Sequence, residues 1–122
     1  MLNNDLFKFT HLLRTESSVT ATIELNPAHP IFNGHFPGQP VLPGVCMLQI
    51  IKELLEVSLG KPTRMRKASE LKFLSLISPE ETDVLQAQII TTLADGLISL
   101  DAKLHNNETV LFKFKGMFEE LV

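Results

Sequence analysis

Apolar and polar positions alternate along most of the chain, and the places where they stop alternating are as informative as the places where they do. Residues 6–13 (Leu-Phe-Lys-Phe-Thr-His-Leu-Leu) alternate loosely. Residues 18–25 (Ser-Val-Thr-Ala-Thr-Ile-Glu-Leu) alternate cleanly and carry β-branched side chains. Both predict strands, joined through the polar residues 14–17. The pattern then breaks. Residues 26–44 hold five prolines and three glycines, a density that no helix or ladder survives. A long, stiff, non-repetitive loop is expected there, and long loops inside compact domains tend to be functional.

Helical spacing follows the loop. Pro43 suits a first helical turn, because its missing N–H would have no intrahelical partner. From there to about Leu59, Val45, Leu48, Ile51 and Leu55 form an apolar stripe, which Ile50, Leu54 and Val57 widen. Gly60 and Pro62 end it. A helix of roughly 25 Å results, apolar around most of its girth and so covered on more than one side. Strand character returns in residues 65–77 (around Leu71, Phe73 and Leu76), 83–92, 97–104 and 109–118. The turns between them fall at Ser78-Pro79-Glu80-Glu81, Ala94-Asp95-Gly96 and Asn106-Asn107. Two strands, a loop, one helix and four strands make an α+β domain. A single helix that is apolar on most sides fits a sheet wrapped around it.

Composition narrows the class. The 122 residues suit one domain spanning 1–122, and 44% hydrophobic with 20% charged residues excludes a disordered chain. Cys46 is the only cysteine, which excludes an intrachain disulfide and zinc sites built on several thiolates. No apolar run is long enough to span a bilayer and residues 1–5 are polar, so a cytoplasmic protein without a membrane role is expected. A net charge of −3 argues against nucleic acid as the partner. The four histidines lack metal-ligand spacing, and no metal or cofactor is expected.

The chemistry concentrates in residues 29–45, His-Pro-Ile-Phe-Asn-Gly-His-Phe-Pro-Gly-Gln-Pro-Val-Leu-Pro-Gly-Val. His35 sits in a loop stiffened by prolines, shortly before a helix N-terminus. The first-turn amides at Gly44 and Val45 are unpaired donors at the positive end of the helix dipole. Gly44, lacking a side chain, lets a ligand approach the backbone. A histidine base beside a backbone oxyanion site is equipment for removing a proton α to a carbonyl.

Gly34-His35-Phe36-Pro37-Gly38-x-Pro40-Val41-x-Pro43-Gly44-Val45 resembles the signature of the FabZ/FabA-type 3-hydroxyacyl-acyl carrier protein dehydratases. The likeness extends to His29-Pro30-Ile31-Phe32, to the long helix and to Leu71-Lys72-Phe73 ahead of Pro79. It implies the hot-dog fold, in which a curved antiparallel sheet of about five to six strands wraps one long central helix. It implies a homodimer or higher homo-oligomer with sites between subunits, and a (3R)-hydroxyacyl thioester on acyl carrier protein as substrate. By the same resemblance His35 handles the α-proton and the Gly44 amide holds the thioester oxygen. Phe36 and Leu42 are candidates to line a tunnel for the acyl chain.

One position departs from the family. Its second catalytic group, a helix carboxylate fourteen residues after the histidine, is here Gln49. An amide hydrogen-bonds a hydroxyl but supplies no proton. Glu53, one turn further along the same face, is a candidate to supply the acid, against a plainer reading as a solvated glutamate near Lys52 and Glu56. Two alternatives to the dehydratase stay open. One is a hot-dog thioesterase. The other is a non-catalytic acyl-binding subunit in a heterodimer, whose active homologue supplies the carboxylate.

The remaining candidates carry less. Cys46 reads as a small buried hydrophobe rather than a nucleophile, and His29 as a residue that shapes the loop. His11 and His105 carry no functional signal. Lys61, Arg64, Arg66, Lys67 and Lys72 cluster between the helix and the third strand. They are either a docking patch for an acidic carrier protein or a solvated connector.

Overall fold

Six strands and one long helix form in the expected order in the computed structural model, which describes residues 2–33 and 40–121. They are β1 (Phe7–Arg14), β2 (Ser18–Leu25), α1 (Gly44–Leu59), β3 (Thr63–Phe73), β4 (Val84–Ala94), β5 (Leu97–Asn106) and β6 (Thr109–Glu120). The strands make one antiparallel sheet in the order β1-β2-β4-β5-β6-β3. Alternation places Ile23, Leu85, Ala87, Ile89, Leu100, Leu104, Phe112, Phe114 and Phe118 on one face, where they share a core with Cys46, Ile50, Ile51, Leu54 and Leu55 of α1. This is the α+β hot-dog arrangement. The neighbouring phenylalanines of the C-terminal segment are buried in that core, with the Phe114 and Phe118 rings meeting edge to face at 6.0 Å.

The turns follow their residues. Asp95 and Gly96 both take positive φ (54° and 77°), as does Asn107 (54°), which suits tight hairpins between right-twisted strands. Gly60 ends α1 in the left-handed conformation, φ 71°, with its N–H returned to the Glu56 carbonyl. The Arg14 guanidinium donates to the Ser58 carbonyl and so satisfies a second C-terminal acceptor of the helix.

Three expectations change. A 3-10 helix, Pro30–Asn33, forms inside the stretch expected to hold no helix. It needs only a short bond, Phe32 N–H to the His29 carbonyl at 3.2 Å, and Phe32 is buried as its anchor. Second, β3 ends at Phe73 rather than running to residue 77. The chain peels away, and the buried Ile77 gives its carbonyl to the Leu42 N–H at 2.7 Å, pinning the approach to α1. Third, Val45 leaves the predicted apolar stripe and is 73% exposed. The helix is covered on the side of Cys46, Met47, Ile50, Leu54 and left open on the side of Val45.

Candidate functional site

The approach to α1 is built by its histidine and its prolines. His29 Nδ1 accepts the Ile31 N–H at 3.0 Å, so the ring proton lies on Nε2, which faces Asp5 Oδ2 at 3.2 Å. His29 therefore shapes the loop, as expected, by capping the 3-10 helix and tying it to the N-terminal segment. His35 and Phe36, with the rest of residues 34–39, lie outside the described residues. Where the description resumes, Val41 and Leu42 are buried and lead to Pro43 in an extended conformation, φ −61° and ψ 146°. Among the described residues no side chain caps the helix. The Cys46 and Met47 amides turn back to the Pro43 carbonyl at 2.9 and 3.3 Å. The Gly44 and Val45 amides lie at the positive end of the dipole.

Gly44 lines an apolar groove of about 530 Å³ together with Leu42, Met47, Phe73 and Leu76. A Cβ on residue 44 would sit 2.8 Å from the Phe73 ring. Glycine thus lets the Phe73 ring pack against the first turn of the helix. Leu42 serves both core and groove. Phe73 was expected only as strand residue; its place here comes from β3 ending beside the helix, which no local pattern announces.

Gln49 lies in a different groove of about 400 Å³, with Val45, Leu48, Lys52, Arg64 and Met65 among its walls. Gly44 and Gln49 are five positions apart, which turns them about 140° from each other around the helix. Of the predicted site residues, then, Gly44 and Leu42 share one groove, and Val45 and Gln49 share the other.

Glu53 is not a solvated glutamate. It is fully buried. Its Oε1 accepts the Asn3 N–H at 2.8 Å, and its Oε2 accepts the Leu2 N–H at 3.0 Å and Gln49 Nε2 at 2.8 Å. The signal was present in the pattern, since residue 53 falls between the core positions Ile50 and Leu54. Its backbone donors Leu2 and Asn3, some fifty residues away in sequence, were not legible. Glu56 also has work: it accepts the N–H (2.6 Å) and hydroxyl (3.2 Å) of Thr63 and so fixes the start of β3.

Cys46 is buried, and burial pushes its thiol up, which suits a core residue and not a nucleophile. His11 sits at a bulge of β1 and His105 bonds the Asn107 carbonyl at 2.9 Å; neither reaches the helix grooves. The basic cluster is partly neutralised. Lys61 pairs with Glu120 at 3.3 Å, Arg64 and Arg66 with Glu119, and Lys72 with Glu70 at 3.1 Å. The two arginines hold the Glu119 carboxyl below the usual range, and the Lys72 hydrogen bond does the same for Glu70. Five cations there face three carboxylates. On the outer sheet face, Lys113 stands in register between Lys72 and Lys103.

Comparison with known proteins adds to this geometry. Residues 11–112 match the family model ApeI-like, described as ApeI dehydratase. The 3-hydroxyacyl-[acyl-carrier-protein] dehydratase FabZ of Wolbachia pipientis wMel is 34% identical over 79 residues, covering 59% of the chain and 55% of that protein. The FabZ of Streptococcus thermophilus is 27% identical over 110 residues, covering 80% and 78%. The chain spans about half the length of the first curated relatives it matches. Among solved structures, the dehydratase heterocomplex ApeI:P from Xenorhabdus doucetiae superposes with a TM-score of 0.71 at 21% identity, covering 89% of this chain and 95% of that one. The candidate thioesterase yhdA of Lactococcus lactis gives 0.64 at 12%, covering 93% and 89%. These structural likenesses show the hot-dog fold. Among the described residues no helix is long and apolar enough to cross a membrane.

Proposed function

The chain belongs to the ApeI-like dehydratase family, and on that footing we propose that it removes water from a (3R)-hydroxyacyl thioester carried on acyl carrier protein, giving the trans-2-enoyl thioester. The observation that carries this reading is a helix N-terminus at Gly44, without a side-chain cap among the described residues, lining an apolar groove. The thioester oxygen accepts from the Gly44 amide, which stabilises the enolate as charge develops. Leu42, Met47, Phe73 and, in the loop, Phe36 pack the acyl chain. His35 takes the α-proton. The C–H electron pair becomes the double bond and the 3-oxygen leaves as water. Gln49 holds the hydroxyl and supplies no proton, so the proton that His35 has taken is the one available to the leaving oxygen.

The site is proposed to span two copies. Gly44 and Gln49 point to different sides of the helix, and the edge of the sheet beside them is uncovered. Met65, Leu71 and Phe73 of β3, on its inward face, are 40–51% exposed, and Leu76 is 75% exposed. A second copy laid against this edge would bring one chain's Gln49 to the other chain's Gly44 groove. An unpaired apolar edge strand otherwise invites unspecific association.

A second reading rests on Gln49 standing where the family has a carboxylate: the chain is an acyl-binding subunit, and a homologue supplies the acid in a heteromer. The test incubates the purified chain with a 3-hydroxyacyl-acyl carrier protein and identifies products by mass. The enoyl thioester is expected. Free acid with free carrier thiol would make the chain a thioesterase. No product until an active homologue is added would establish the second reading.

A further inference from the structure

We infer that Glu53 is a positioning residue which fixes the amide of Gln49, so that the site meets its ligand with a hydrogen-bond acceptor and selects a 3-hydroxyl over a 3-oxo group; this rests on the dehydration proposed above. A buried carboxylate is costly unless its oxygens are satisfied. Glu53 is satisfied entirely by N–H donors, at 2.8, 3.0 and 2.8 Å from Asn3, Leu2 and Gln49. The two backbone donors belong to a tight turn, closed by Leu6 N–H to the Leu2 carbonyl at 2.9 Å and Asn4 N–H to the Phe7 carbonyl at 2.6 Å. The carboxylate is therefore held on a firm seat. With both oxygens turned to N–H groups, it acts as an acceptor and is not placed to pass a proton to a ligand.

Gln49 inherits its orientation from this seat. The last torsion of a free glutamine is broad, and either end of its amide can face a ligand. Beside a carboxylate only the NH₂ end is compatible, since the other end would set oxygen against oxygen. The carbonyl Oε1 is then the end left for the groove that Gln49 lines with Val45, Lys52 and Met65. A hydroxyl donates to such an oxygen. A ketone oxygen in the same place is repelled. An amide followed one turn later by a buried carboxylate thus gives a site that reads the oxidation level of carbon 3, with Glu53 acting through Gln49.

The test measures binding of two pantetheine amides, bearing a 3-hydroxyacyl and a 3-oxoacyl chain, by the full chain and by Glu53→Gln and Gln49→Leu. Nitrogen-15 spectra of the Gln49 side-chain amide and of the Leu2 and Asn3 amides are recorded alongside. The wild type is expected to prefer the 3-hydroxy ligand about tenfold, the worth of one buried hydrogen bond. Both variants are expected to lose that preference. Glu53→Gln should also release the Gln49 amide and the Leu2 and Asn3 N–H groups to solvent exchange, a signature that lost packing alone would not place at residue 49. Gln49→Leu keeps the two backbone bonds to Glu53 and serves as the folded control. A preference or a Gln49 amide signal unchanged in Glu53→Gln overturns the inference. Binding of neither ligand by the wild type overturns the dehydration reading instead, while the amide spectra still decide the role of Glu53: protection lost in Glu53→Gln upholds the anchor, and protection unchanged refutes it.

Discussion

Glycine 44 and glycine 116 show how differently one methyl group is received at two places. At Gly44 the added carbon would meet the edge of the Phe73 ring at 2.8 Å, and that ring is a half-exposed side chain rather than backbone. At Gly116 it would meet the Lys67 carbonyl oxygen of the neighbouring strand at 2.3 Å and the buried Phe114 ring at 2.5 Å. Neither can yield without moving the β3–β6 ladder. Gly44→Ala should therefore cost about 1 kcal/mol and Gly116→Ala about 3 kcal/mol or more, the range of overpacked cores. Denaturant unfolding of the two variants checks the order, and an equal or reversed order would contradict it. The sequence was a good guide to the helix start at Gly44, which Pro43 marks. It was a poor guide to Glu53, because its partners Leu2 and Asn3 arrive from the far end of the chain, and short-range patterns cannot register them.

At the scale of elements, most of the fold was legible because most elements have one buried face. Strands β2, β4, β5 and β6 alternate inward and outward as their residues do, and the two-residue turns carry the Asp-Gly and Asn chemistry they need. The misread ends lie where tertiary bonds override the local pattern. Ile77 leaves β3 to accept from Leu42, and His29 caps a 3-10 helix inside a proline-rich loop. The basic cluster was half legible: its cations were plain, but four of the five lie on β3 and not in a connector, and the partners Glu119 and Glu120 on β6 depend on register. Arg64 faces Glu119 directly across the β3–β6 pair. Because the arginines hold Glu119 below its ordinary value of 4.5, its stabilising effect is complete above that value and is lost as pH falls through the lowered folded value. Glu119→Gln should lower the melting temperature at neutral pH and low salt, and its deficit should vanish in acid. Unfolding followed against pH and salt tests this, and a deficit that persists in strong acid would contradict the ion-pair account. The two arginines are exposed and Glu119 is only partly covered, so added salt should shrink the effect.

At the scale of the whole molecule, the apolar edge is what the chain alone leaves unexplained. Met65, Leu71 and Phe73 face inward from β3, yet they stay 40–51% exposed. A pattern of alternation predicts which way these residues point and is silent on what covers them. The proposed answer is a second copy. Leu71→Asp should keep the β-sheet signal by circular dichroism while shifting sedimentation from dimer to monomer, and dehydration should fall with dimer content. A variant that stays dimeric, or a monomer that keeps full turnover, would remove the two-copy site. The division of Gly44 and Gln49 between grooves was implicit in their spacing, but it acquires meaning only once β3 is seen at the sheet edge beside them.

The most direct test of the account compares the rate of enoyl thioester formation from a 3-hydroxyacyl-acyl carrier protein in the wild type and in His35→Ala, with the assembled mass of each protein measured in the same buffer. The account predicts that the wild type forms the enoyl product, and that His35→Ala, assembled alike, loses at least about 10²-fold in rate, as expected for removal of a general base. Equal rates in the two proteins, or an assembled wild type that leaves the hydroxyacyl chain intact, would contradict it.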